Sequence, residues 1–114
     1  MSKYHNRRTE RGGITFASKA EATRYSELSI LEASGVITCL KVQPRYTLQE
    51  KFTSRETGCK VRAIEYVGDF QYIDAETGQT ICEDVKGVET PVFKLKQKMF
   101  LKVFWWIDLR VLKG

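Results

Sequence analysis

Residues 67–87, VGDFQYIDAETGQTICEDVKG, read as two strands joined by a tight loop, and the loop chemistry fixes how the strands pair. Asp74-Ala75-Glu76-Thr77-Gly78 suits a four-residue hairpin connection. It has an Asp that bonds backbone amides ahead of a type I turn, and a Gly where φ turns positive. With Asp74 opposite Gln79, Ile73 falls opposite Thr80 and, counting outward, Asp69 falls opposite Asp84. Two carboxylates then face each other across a ladder about 4.8 Å wide. Lys86 projects from the same face as Asp84, roughly 6.6 Å further along. Like charges directly opposite one another destabilise a sheet, and carboxylates so close do not both ionise readily without compensation. Either a divalent cation compensates them, or the three side chains form a solvated polar face with a cross-strand ion pair. The spacing alone leaves both open.

The chain around this hairpin has 114 residues, enough for one domain with a core that needs no disulfide or metal staple. A hydrophobic content of 42% excludes a disordered composition. The net charge of +5 favours a polyanionic partner, with nucleic acid as the default. Cys39, Cys59 and Cys82 are odd in number and lack paired zinc-ligand spacing, so they read as small buried hydrophobes in a reducing cytoplasm. The single His5 lies in a polar tail, which argues against a catalytic His. No stretch is apolar and long enough for a membrane span, and no signal-peptide pattern is present, so a cytoplasmic location is expected.

Residues 1–13 (MSKYHNRRTERGG) read as a basic flexible arm, with Arg7, Arg8 and Arg11 available to phosphates; residues 14–114 form the single domain. Ser18 and Glu21 make a capping box that starts a helix facing inward through Tyr25, Leu28 and Leu31 and ending at Ser34-Gly35. Glu21 either completes that cap or points from the helix start toward the sheet as a third carboxylate; the cap is the reading the sequence signals directly. Val36–Leu48 looks like one strand interrupted near Pro44, Lys51–Gly58 like a polar link, and Lys60–Val67 like the lead into the strand bearing Asp69. Thr90-Pro91 opens a second helix that packs through Val92, Phe93, Leu95, Met99 and Phe100 and carries Lys94, Lys96, Lys98 and Lys102. These lysines either grip phosphates or serve as a soluble face. Val103–Leu112 reads as a last strand, laid parallel to the strand of Asp84 by a right-handed crossover. The sum is an α/β sandwich around a mixed sheet.

A helix, three antiparallel strands, a helix and a strand, with an Asp at the second strand, an acidic-x-Lys at the third and a Glu in the first helix, resembles the PD-(D/E)XK nuclease superfamily. The blocks Phe16-Ala-Ser-Lys-Ala-Glu21-Ala-Thr-Arg-Tyr25, Gly35-Val-Ile, Gln43-Pro, Tyr66-Val-Gly-Asp69-Phe and Glu83-Asp84-Val-Lys86-Gly87 are similar to those of a small phage and prophage family whose biochemical role is largely unassigned. The resemblance implies an αβββαβ restriction-endonuclease-like core, a mixed four-stranded sheet flanked by helices. It implies that Asp69 and Asp84, with the Val85 carbonyl, ligate Mg²⁺ or Mn²⁺. Lys86 would orient or help deprotonate the attacking water, and Glu21 would hold a water or a second metal. Glu83 alternates to the other face and stays out of the site. Gly68 stands where the superfamily name expects Pro, and the third-strand acid is Asp rather than the commoner Glu; neither change removes a functional group.

The function expected from this likeness is metal-dependent phosphodiester hydrolysis by a phage endodeoxyribonuclease, with branched, Holliday-junction-like DNA as one specific substrate and a homodimer to cut two strands. Arg7, Arg8, Arg11, Gln43, Lys94, Lys96 and Lys98 are the expected nucleic-acid contacts. The competing reading is a non-catalytic nucleic-acid-binding or interaction module that kept the fold, and a third is a structural phage component.

Overall fold

The computed structural model describes residues 8–114. A hairpin of β1 (Thr9–Arg11) and β2 (Ile14–Phe16) precedes α1 (Lys19–Ala33). Then come β3 (Ile37–Val42), β4 (Arg45–Gln49), β5 (Phe52–Thr53), β6 (Lys60–Val61), β7 (Ile64–Val67), β8 (Phe70–Asp74) and β9 (Thr80–Lys86). The chain closes with α2 (Pro91–Val103) and β10 (Asp108–Lys113).

The Asp74 loop behaves as its chemistry requires. Asp74 Oδ1 accepts from Glu76 N at 2.9 Å and Thr77 N at 3.1 Å, and Gly78 takes φ +76°. Ile73 accordingly pairs with Thr80, and the β8–β9 ladder runs out to Phe70 opposite Glu83. On one side of this hairpin β3 adds antiparallel; on the other, β10 adds parallel to β9, giving a mixed four-stranded sheet in the order β10-β9-β8-β3. Each face carries a helix because side chains alternate along the strands. Ala22 and Leu28 of α1 pack on Phe70, Tyr72 and Ile81. Phe93 and Phe100 of α2 pack on Tyr46, Tyr66 and Cys82 across the sheet. Ser18 caps α1 by accepting from Glu21 N at 3.2 Å, and Thr90 caps α2 by accepting from Phe93 N at 3.1 Å. The fold is mixed α/β, and no helix among the described residues is long and apolar enough to cross a membrane.

The central sheet forks. Val42 pairs with Phe70 and Arg45 with Val67, so the two strands keep one register through Gln43-Pro44 and Gly68-Asp69. Gln43 N donates to Asp69 O at 2.8 Å and Gly68 N to Pro44 O at 3.0 Å, which ties the bend together. Beyond it the paired strands leave β9 and continue as the ribbon β4–β7, then β5–β6. The expected strand across Pro44 is therefore two strands in two sheets, and Lys60–Val67 belongs to the ribbon rather than to the central sheet. The ribbon can peel away because Pro44 has no N–H to give a neighbouring strand.

Other expectations are corrected. Thr9–Arg11 is a paired strand rather than part of a loose arm; residues 1–7 lie outside the described residues. Lys51–Gly58 contains β5. Residues 103–107 do not start the last strand: α2 runs to Val103, Phe104 N bonds Phe100 O at 2.8 Å, and Trp105 and Trp106 are 77% and 50% exposed. The aromatic run looked like a strand because aromatics favour strands, but the Thr-Pro start carried the helix into it. Val92 and Leu95 point outward, and only Cys82 of the cysteines is buried; Cys39 and Cys59 are exposed.

Candidate active site at the fork

The fork leaves the end of β9 without a partner on one side, and Asp69 fills the gap. Its backbone N–H donates to Glu83 O at 3.0 Å, and its Oδ2 accepts from Val85 N at 2.6 Å, standing where a strand carbonyl would. Asp69 is thus brought beside Asp84 and Val85, although the regular ladder stops one step short of an Asp69–Asp84 pair.

Asp84 is 1% exposed. Tyr66, buried between Phe93 and Phe100, donates its hydroxyl to Asp84 Oδ2 at 2.5 Å. Lys86 Nζ lies 3.5 Å from Asp84 Oδ1 and 4.8 Å from the centre of the Phe93 ring. Phe93 thereby helps hold the lysine against the site through its π-face. The Tyr66 phenol is pushed well above its ordinary range by burial and by the carboxylate it bonds.

Glu21 reaches the same place from the first turn of α1. It takes part in the cap, its backbone N–H bonding Ser18 Oγ at 3.2 Å and Ser18 Oγ lying 3.4 Å from its Oε2, and its carboxylate is a neighbour of Asp69. Burial first, then the neighbouring Glu21, push the Asp69 carboxyl up to about 9, opposed by the Val85 amide and helped by the nearby Asp84. Asp69 thus has two acidic neighbours, Asp84 and Glu21. Among the described residues no three His, Cys, Asp or Glu side chains form a ready-made metal cage. The donor set here is the carboxylates of Asp69 and Asp84, with Glu21 next to Asp69. Mg²⁺ commonly takes only one or two carboxylates and keeps several waters, so this hard-oxygen set fits it.

Residues 1–113 match the family described as "Protein of unknown function (DUF1064)". The chain belongs to that family. No curated protein and no solved structure matches it. In this DUF1064 protein the other sequence-selected residues are dispersed. Arg8 and Arg11 are exposed at the β1–β2 end, and Arg7 is outside the described residues. Gln43 is exposed at the bend with φ +54°, its N–H on Asp69 O. Lys94 and Lys98 are exposed on α2 and Lys96 is half-buried.

Two features of the DUF1064 site escaped the sequence reading. Tyr66 falls within a quoted block but had no role, because its partner Asp84 lies across the fork and only the bend brings them together. Glu83, turned away from the acids as expected, is buried against α1, where Arg24 Nε and Nη2 donate to its two oxygens at 2.7 Å each and Tyr72 also donates its hydroxyl. The signal for this was an acid inside an apolar strand, which needs a buried cation or donor.

Proposed function

We propose that this protein is a metal-dependent phosphodiester hydrolase, an endodeoxyribonuclease with branched, Holliday-junction-like DNA as one specific substrate. The observation that carries the reading is the convergence at the fork of Asp69, Asp84 and Val85, with Lys86 on Asp84 and Glu21 on Asp69. The order α1, β3, β8, β9, α2, β10, with Asp69 entering the second of these strands and Asp84-Val85-Lys86 in the third, supports the restriction-endonuclease-like version of the fold.

In this reading Asp69, Asp84 and the Val85 carbonyl hold Mg²⁺ or Mn²⁺, with Glu21 supporting Asp69. Such an ion, when bound, neutralises charge on the scissile phosphate and acidifies a water. Lys86 has donors for both a water and a phosphate oxygen, and its contacts with Asp84 and Phe93 keep it from swinging away. Tyr66 fixes the orientation of Asp84, so that oxygen Oδ1 faces Lys86. The net charge of +5 and the exposed Arg8, Arg11, Lys94 and Lys98 favour a polyanion, and a chain of this size would cut two strands as a homodimer.

Purified protein with Mg²⁺ or Mn²⁺ is expected to cut linear, supercoiled or four-way branched DNA, and Asp84→Ala and Lys86→Ala are each expected to slow cutting by about 10²-fold or more. Intact DNA in all three assays would remove the hydrolase reading. One observation favours a second reading: Asp69 and Asp84 already have partners in Val85 N, Tyr66 and Lys86, as a purely structural cluster would. A non-catalytic DNA-binding module predicts salt-sensitive binding, unaffected by Asp84→Ala, with no cutting.

A further inference from the structure

The ribbon that leaves the fork ends in β5 and β6, where Phe52 pairs with Val61 and Thr53 with Lys60. One step inward this register sets Lys51 opposite Arg62. Lys51, Lys60 and Arg62 are thereby gathered at this end of the ribbon, beside Phe52 and Val61. All three cations are exposed, and none forms an ion pair with a described residue. With Phe52, Thr53 and Val61 they line an open concave surface.

Like charges directly opposite each other weaken a two-stranded ribbon. Here the ribbon has no third strand to hold it, since β5 and β6 pair only with one another. An acid at position 51 or 62 would have removed that repulsion. Among the described residues these three cations have no ion-pair partner of their own, which leaves them open to an anion. The anion must also be extended. From Arg45 to Thr53 the ribbon spans up to about 26 Å at 3.3 Å per residue, roughly the length of 8 base pairs at 3.4 Å each. The ribbon begins at Gly68-Asp69, so the three cations at its far part lie on one side of the fork.

We propose that the basic end of the β5–β6 ribbon, Lys51, Lys60 and Arg62, binds the phosphate backbone of duplex DNA on one side of the fork. Regularly spaced phosphates suit three cations clustered at one end of the ribbon better than the irregular charges of an acidic polypeptide. The inference deepens the preceding proposal and takes from it the choice of DNA as partner.

The test is a salt series of duplex-DNA affinity, read by fluorescence anisotropy in EDTA so that metal-dependent cutting is silent, for the wild type and for Lys51→Ala/Lys60→Ala/Arg62→Ala. Three lost phosphate contacts reduce the slope of log K against log salt by about 2.7, with affinity at 0.1 M salt falling about tenfold or more. The substitutions lie on exposed positions, and matching thermal melts establish that the variant is folded; if it melts early, Lys60→Gln/Arg62→Gln is used and a slope reduction of about 1.8 is expected. Unchanged affinity and slope in a folded variant overturn the inference, as does wild-type protein with no affinity for DNA or with equal ribbon-dependent affinity for polyglutamate. A parallel cutting assay with Mn²⁺ separates the two proposals. Ribbon-dependent binding without cutting sinks the hydrolase and keeps the ribbon; cutting by wild type and ribbon variant alike, with equal affinity, does the reverse.

Discussion

Glu83 and Asp84 are neighbours in one strand, each 1% exposed, and the protein treats them in opposite ways. Glu83 faces α1, where the forked guanidinium of Arg24 meets both of its oxygens at 2.7 Å and the Tyr72 hydroxyl adds a third donor. The bond to Glu83 raises Arg24 further above its ordinary range, as a matched buried pair should. Asp84 faces α2 and has Asp69 as an acidic neighbour, while its one lysine is 32% exposed and 3.5 Å away. One side of the strand is closed and internally matched. The other gathers acids around Asp69, whose carboxyl burial first and the neighbouring Glu21 second push up to about 9. Folding alone explains the first arrangement. The second is the arrangement we propose takes a metal ion.

The most direct way to break this contrast is to remove one partner on each side. Arg24→Ala strands Glu83 in the core without its cation and should cost about 3–5 kcal/mol in chemical denaturation. Asp84→Asn keeps an acceptor for Tyr66 and relieves acid crowding, so its stability should stay within about 1.5 kcal/mol of wild type. If Asp84→Asn proves as damaging as Arg24→Ala, the Asp84 side is structural too. Replacing both Arg24 and Glu83 with apolar residues of similar volume should recover most of the loss, because the pair's net worth is much smaller than the cost of orphaning one member.

Much of this contrast was legible in the sequence because it depends on local chemistry. The Asp74–Gly78 loop fixes the β8–β9 register, and period-two alternation then separates Glu83 from Asp84 and joins Asp84 to Lys86. The Thr-Pro start of α2 and the Ser cap of α1 were equally direct. What stayed hidden depends on where chains diverge in space. Nothing in residues 43–44 or 68–69 alone says that the paired strands leave β9 together, so the Tyr66–Asp84 bond, the bond from Val85 N to Asp69 and the independent β5–β6 ribbon could not be read. The Arg24–Glu83 pair was hidden for a similar reason: it joins residues 59 apart across a helix–sheet interface. Trp105 and Trp106 misled because aromatics favour strands, whereas α2 continues to Val103 and the turn after it leaves both exposed.

A second break in the contrast comes from adding the cation that the Asp84 side is proposed to take. Mn²⁺ at 100 times its dissociation constant should stabilise the wild type by about 2.7 kcal/mol, read as a rise in melting temperature. Asp69→Asn should abolish most of that rise, and Arg24→Lys, on the closed side of the strand, should leave it in place. A rise that survives Asp69→Asn would mean that the metal binds elsewhere, and no rise at millimolar Mn²⁺ would count against the metal-site reading.

The smallest effect concerns the bend itself. Gly68 is buried, and a Cβ built on it would lie 2.7 Å from Cys82 Sγ and 3.6 Å from Pro44 Cγ. Its need is thus close approach rather than an unusual φ, and it lets the departing ribbon cross β9 beside Cys82, which is fully buried on the Asp84 side. Gly68→Ala must push the two apart or turn the thiol, at about 1–3 kcal/mol, the range for overpacked cores. Because Asp69 follows directly, the same displacement should loosen its 2.6 Å bond to Val85 N and blunt the Mn²⁺-induced rise in melting temperature. Cys82→Ala in the same chain removes the clashing sulfur and should restore that rise, although the lost sulfur costs some packing of its own. Restoration of the metal response without full restoration of stability would show that Gly68 sets the geometry of the open side, while the Arg24–Glu83 side chains, packed on α1, hold the strand in place.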